Sequence, residues 1–188
     1  MNAKRKIRLV YFGRLTESKH IEIVIRTLAI LLKNQYSASL DLIGGCSEKY
    51  MGVLQEIITD LGMADGLITF HGQQPMSIIA RILSAAHYFV FPSEEPKEGH
   101  SNALTEAMAF GVVPIVSNAG FNATICGNIE LVVYDYNSES YAQKIMNIEI
   151  SGKWDEYSRF AYQRIADNYT EKNASNALKE AAHYMGLI

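Results

Sequence analysis

The chain has 188 residues, a formal net charge of −3, 48% hydrophobic residues and 20% charged residues. That length suits one domain, and the composition is that of a soluble globular chain rather than a disordered one. The slight negative charge gives no reason to expect nucleic acid as a partner.

The cluster Lys4-Arg5-Lys6 reads as a solvated end ahead of the first strand. Ile7-Arg8-Leu9-Val10-Tyr11-Phe12 predicts a buried strand closed by Gly13. From His20 to Gln35 the apolar residues Ile21, Val24, Ile25, Leu28 and Leu31-Leu32 recur as one helical face. Ser39–Ile43 predicts a second strand, ending in Gly44-Gly45. Tyr50 to Leu61 predicts a helix stopped by Gly62. Leu67–Phe70 is a short third strand. Pro75 opens a helix to about Ala86, as proline does at a first helical position. Tyr88–Phe91 is a fourth strand, and Ser101 to Phe110 a helix ended by Gly111. Val113–Ser117 and Glu130–Tyr134 are the fifth and sixth strands. From about Ser138 only helices follow, with breaks near Gly152 and Thr170.

Strands joined by helices imply right-handed parallel crossovers, and continuous apolar strands imply a sheet covered on both faces. The expected fold is α/β, a doubly wound Rossmann-like parallel sheet of about six strands. The expected organisation is a single domain over residues 1–188, with the sheet core at about 7–136 and a helical segment at about 138–188. Only Cys46 and Cys126 are present, too few for a disulfide framework, and no Cys/His spacing suits a metal. No apolar run approaches the ~18 residues of a membrane span, and no signal-peptide core is seen. The expected location is therefore cytoplasmic, compatible with peripheral attachment to the cytoplasmic face of a membrane.

Ligands of such folds bind beyond the carboxyl ends of the strands. That edge collects Gly13 to Lys19, Gly44-Gly45, His71-Gly72, Ser93 to Ser101 and Asn118-Ala119-Gly120. Arg14 and Lys19 offer a guanidinium fork and a movable ammonium for phosphate oxygens, or else cap a surface turn. Ser101 suits an N-cap, which would present the amides of Asn102, Ala103 and Leu104 to an anion. Glu98 and Glu106 suit the paired hydroxyls of a sugar, each carboxylate accepting two bonds. Equally they read as a solvated loop acid and a helix acid. His71 and His100 read as turn histidines with no acid–base role.

The segment Glu98-Gly99-His100-Ser101-Asn102-Ala103-Leu104-Thr105-Glu106-Ala107-Met108-Ala109-Phe110-Gly111 carries an E-x7-E spacing and an E-A-M-A-x-G run. Together with Phe12-Gly13-Arg14-Leu15, Lys19 and Val113–Ser117, it resembles the family 4 type retaining glycosyltransferases of the GT-B fold. The resemblance implies the donor-binding half of such an enzyme, transferring a hexose-type sugar from a nucleoside diphosphate sugar to a glycan or lipid-linked acceptor, as in polysaccharide biosynthesis. It implies Arg14, Lys19 and Glu98 as the residues carrying the chemistry. The donor would contact Gly13, Arg14, Lys19, Gly72, Gly99, His100, Ser101, Asn102, Ala103, Leu104 and Glu106, with the base against backbone around His71 to Gln73. No cofactor and no metal are implied, in keeping with the lack of a D-x-D pair. The acceptor would be met through an N-terminal domain that this chain lacks, so activity without that half is not expected.

The sequence departs from the family's pattern at His20, where glycine is frequent, and at Thr124, where an acid is frequent. A non-catalytic nucleotide-sugar-binding or regulatory domain, or one half of a GT-B epimerase, are the alternative readings. A dinucleotide oxidoreductase would need a G-x-G-x-x-G after the first strand, and none follows.

Overall fold

The structure, a computed structural model, describes residues 6–94 and 99–170. Its sheet has six strands in the order β3-β2-β1-β4-β5-β6, formed by β1 (Ile7–Phe12), β2 (Ala38–Ile43), β3 (Ile68–Gly72), β4 (Tyr88–Phe91), β5 (Val113–Ser117) and β6 (Val132–Val133). Every pairing is parallel. The helices are α1 (Ile21–Lys33), α2 (Glu48–Asp60), α3 (Met76–Leu83), α4 (Asn102–Ala109), α5 (Asn122–Cys126), α6 (Ser138–Ser151) and α7 (Trp154–Asn168).

The strands form because their side chains are apolar on both faces: all four residues of β4 and all five of β5 are buried. Tyr11, Phe89 and Phe91 stack through the middle, with ring centroids 5.4–6.1 Å apart. Helix α1 packs against α6, and α4 against α7. Right-handed crossovers put α1 and α4 on opposite faces, because the chain moves outward from β1 to β3 and then returns to start β4 on the other side of β1.

That reversal matters for function. The loops after β1 and β4 leave neighbouring strands toward opposite faces and open a crevice between them. Beside it, Gly44 at the end of β2 lies against Gly13: a Cβ on Gly44 would stand 1.7 Å from the Gly13 carbonyl oxygen. Only glycine permits that approach, and Gly44 also has φ +145°.

Several expected boundaries move. The sixth strand is not Glu130–Tyr134 but the two residues of β6, because Ile129–Leu131 forms a 3-10 turn in which the Asn128 side chain accepts from the Glu130 amide at 2.9 Å. The short helix α5 was not anticipated; its five residues are too few to show a period. Helix α1 starts at Ile21, one residue late, since His20 is left-handed and ends a 3-10 turn over Glu17–Lys19. Pro75 is the N-cap of α3 rather than its first residue, and that helix ends at Leu83 rather than near Ala86. Glycines 62, 111 and 152 end helices as expected, each with positive φ.

Candidate functional site

The loops after β1 and β4 meet. Lys19 is buried, 6% exposed, and its Nζ donates to Ser93 Oγ at 3.2 Å. The ammonium also lies 5.6 Å from the centroid of the Phe91 ring. The Glu94 amide donates to the Ser18 carbonyl at 3.0 Å, pinning the two loops together. Lys19 is therefore not the turn-capping surface residue that one reading of the sequence allowed. A buried ammonium is held where it is because taking it from water without partners is costly.

Beneath Lys19 runs a chain of polar contacts. Ser117 Oγ donates to the Ser93 carbonyl at 2.5 Å, and Asn122 Nδ2 donates to Ser117 Oγ at 3.4 Å. Ser93 falls in the strand-end stretch that the sequence singles out; Ser117, the last residue of β5, and Asn122 were not among the expected site residues. Asn122 sits on the unanticipated α5 and carried no such signal.

Arg14 is exposed on the wall of a cavity of about 670 Å³, lined also by Thr16, Ser18, Gly45, Cys46 and Gln73. Cavities of 660 and 710 Å³ exist elsewhere, one between α1 and the end of α2 and one beside Phe110 and Tyr162. Volume does not separate these; position at the carboxyl edge does. Gly13 joins this edge through its amide, which donates to the Ile43 carbonyl at 3.0 Å. The Gly72 carbonyl is already engaged by the Gly44 amide at 2.8 Å. His71 turns its ring to Asp41, with Nε2 and Oδ1 2.7 Å apart, so the side chain here that lines the cavity is Gln73.

Across the crevice, Ser101 caps α4 as its sequence position predicts, Oγ accepting from the Leu104 amide at 3.3 Å. Gly99, His100 and Asn102 are exposed, while Ala103 and Glu106 are half-buried. Burial holds the Glu106 carboxyl above its ordinary pKa. It has no hydrogen-bond partner among the described residues. Glu98 lies outside the described residues. Thr124 is exposed on α5, whose last carbonyls are gripped by Arg164, Nη2 to the Thr124 oxygen being 2.8 Å.

His20 explains its own departure from the family pattern. Its φ of 49° is left-handed, where glycine is the usual occupant. The strain is offset by a clamp: Nδ1 lies 2.8 Å from Glu22 Oε1 and Nε2 2.6 Å from Glu94 Oε2. Its ring lies 5.2 Å from that of Tyr136, and Glu22 also accepts from the Tyr50 hydroxyl at 2.6 Å. Burial opposes the His20 charge, but the bonds to Glu22 and Glu94 outweigh it and raise the pKa above 6.5. A group raised on folding contributes stability below its unfolded pKa and loses it as pH climbs through the folded value. Urea denaturation should therefore show stability declining as pH rises from ~6.5 upward. H20Q should flatten that part of the profile.

The glycosyl transferases group 1 family model matches residues 2–166. The chain belongs to that family. A search of curated proteins finds no match. Among solved structures, this glycosyl transferase domain is similar to the pneumococcal O-GlcNAc transferase GtfA in complex with UDP and GlcNAc, at 19% identity and TM-score 0.80, over 95% of this chain and 35% of that one. It is similar to Anabaena Alr3699/HepE in complex with UDP and glucose, at 18% identity and TM-score 0.78, over 97% of this chain and 49% of that one. It also superposes on the C-terminal domain of the group 1 protein LpcC from Francisella tularensis, at 22% identity and TM-score 0.74, over 88% and 87% of the two chains. The glycosyl transferase domain thus has the Rossmann-like fold of one half of the GT-B architecture, and spans a third to a half of the first two relatives. Among its described residues no helix is long and apolar enough to cross a membrane.

Proposed function

We propose that this domain binds the donor of a retaining glycosyltransferase, a nucleoside diphosphate sugar carrying a hexose-type group. The acceptor, a glycan or lipid-linked sugar, would be met through an N-terminal half, without which the 188 residues are expected not to catalyse transfer. No metal or cofactor is part of the proposal.

One observation carries this reading. At the point where the strand order reverses, the loop holding Arg14 and Lys19 meets Ser93 and Glu94 after β4, and the helix that follows, α4, carries a half-buried carboxylate, Glu106, in its second turn. Cations and helix amides suit a diphosphate, and a carboxylate with no hydrogen-bond partner among the described residues suits sugar hydroxyls. Glu106 would take the ribose hydroxyls, the cavity beside Gln73 the base, and the amides from Gly99 to Leu104 a phosphate or the donor sugar. During transfer the bond from the anomeric carbon to the diphosphate oxygen breaks. Arg14 and Lys19 would offset the charge that develops on the leaving group. The UDP and sugars bound to GtfA and HepE, named with those structures, support the reading.

A thermal-shift screen against UDP, GDP, ADP and their sugar conjugates tests it. A ligand present at 100 times its Kd stabilises by ~2.7 kcal/mol, enough to move the melting temperature by several degrees. A flat response to all of them contradicts the proposal.

A further inference from the structure

His20 follows Lys19 in the chain, and Glu94 follows Ser93. The two pairs meet in order: Lys19 Nζ donates to Ser93 Oγ at 3.2 Å, and His20 Nε2 lies 2.6 Å from Glu94 Oε2. The ring that bonds Glu94 is thus one residue from the buried ammonium. Its other nitrogen, Nδ1, lies 2.8 Å from Glu22 Oε1 in the first turn of α1. The titratable groups facing the ring are therefore Glu22 in α1, Glu94 after β4 and Tyr136 after β6, with Tyr50 of α2 behind them, donating to Glu22 Oε2. A carboxylate can only accept a hydrogen bond. Both ring nitrogens must then donate, which requires the imidazolium. A neutral ring has one N–H and would turn a lone pair toward a carboxylate oxygen, so one of the two contacts has to open. Glu22 is held a second time by Tyr50 and its side chain is 29% exposed, against 56% for Glu94. The contact that opens is the one to Glu94.

We propose that His20 is a positioning residue of the donor site: its imidazolium ties Glu94 to the loop after β1 and so holds Lys19 and Ser93 in the arrangement that receives the diphosphate, and donor affinity falls when the ring gives up its proton. This rests on the donor-binding reading above. His20 acts through Lys19 and Ser93 and does not itself touch the donor. Glycine, frequent at this position in the family, suits the left-handed backbone but has no ring to make the tie. Because coupling is reciprocal, a donor favoured by the protonated ring also favours protonation, and its binding draws a proton from solution.

The test is calorimetric titration of the chain with UDP-glucose, GDP-mannose and ADP-glucose from about pH 6 to about pH 8.5, a span that covers the imidazole. The two phosphates of such a conjugate stay ionised throughout, so the ligand's own charge does not change. The conjugate that binds best should weaken by about three- to tenfold across that span, the equivalent of one hydrogen bond. H20Q should bind over the whole span about as weakly as wild type does at its upper end. E94Q discriminates further: its amide offers an oxygen to an N–H or an N–H to a lone pair, so the tie survives in either state of the ring. A purely electrostatic influence of the His20 charge would leave the pH slope in E94Q; the tie removes it. Any slope contributed by His71 or His100 persists in all three proteins. H20G, which relieves the left-handed backbone, replaces H20Q if that variant does not fold. A pH-independent wild type, or a wild-type slope retained in H20Q or in E94Q, would overturn the proposal while leaving donor binding intact. If no conjugate binds at any pH, the donor-binding reading falls, and this proposal falls with it.

Discussion

Replacing Lys19 with methionine is expected to weaken nucleoside diphosphate binding by about ten- to a hundredfold, the equivalent of one charge-assisted hydrogen bond. The ammonium is almost fully buried, and one of its contacts is Ser93 Oγ at 3.2 Å. A charge kept out of water in this way is only weakly screened, so its pull on a diphosphate persists at physiological salt. Methionine has similar length and packs well in apolar surroundings, so the neighbouring Phe91 ring should keep a contact. The variant should therefore melt close to wild type while losing UDP, GDP and ADP alike. Binding of the free nucleoside, which lacks phosphate, should be unaffected. Calorimetry on the diphosphate and the nucleoside separates loss of a charge from loss of the fold.

The largest expected effect on stability comes from G44A. Its Cβ would stand 1.7 Å from the Gly13 carbonyl oxygen, and the position has φ +145°. Neither atom belongs to a side chain that can swing away. The ends of β1 and β2 would have to part, and with them the Gly13 amide bond to the Ile43 carbonyl. A loss of about 3 kcal/mol or more is expected from overpacking and backbone strain together. G62A is the control: φ there is +60°, but nothing lies within 4 Å of a Cβ. It should cost only ~1 kcal/mol of left-handed strain. Urea midpoints of the two variants measure the difference.

What could be read from the residues alone was governed by length and periodicity. Strands such as Tyr88–Phe91 and helices such as α1 declare themselves through unbroken or 3.6-spaced apolar residues. The doubly wound arrangement was expected, but the order β3-β2-β1-β4-β5-β6 was not given, because pairing depends on which buried faces meet rather than on any local signal. The sixth strand illustrates the limit: β6 is two residues long, and a side-chain cap on a 3-10 turn displaced the rest of its expected span.

The candidate site was legible where chemistry follows a strand. Arg14 and Lys19 follow β1, and Ser101 and Glu106 belong to the helix that follows the neighbouring β4, though the burial of Lys19 is a tertiary fact, created by Phe91 of β4 and Ser93 just after it. The Asn122–Ser117–Ser93 chain and the His20–Glu94 clamp join residues at least five apart in sequence, and no spacing rule announces them. His20 shows the converse. Its departure from glycine was visible, but the paired carboxylates that make a left-handed histidine tolerable were not.

The most direct measurement of the central claim is calorimetric titration of the chain with UDP, GDP and ADP in the presence of a metal chelator, for wild type, R14A and E106A. Donor binding predicts saturable heat with at least one of the three, weakened by about tenfold or more in R14A, whose guanidinium grips phosphate. E106A should weaken the ribonucleotide and leave its 2′,3′-dideoxy analogue unchanged. No heat from any diphosphate, or wild-type affinity in both variants, would contradict it.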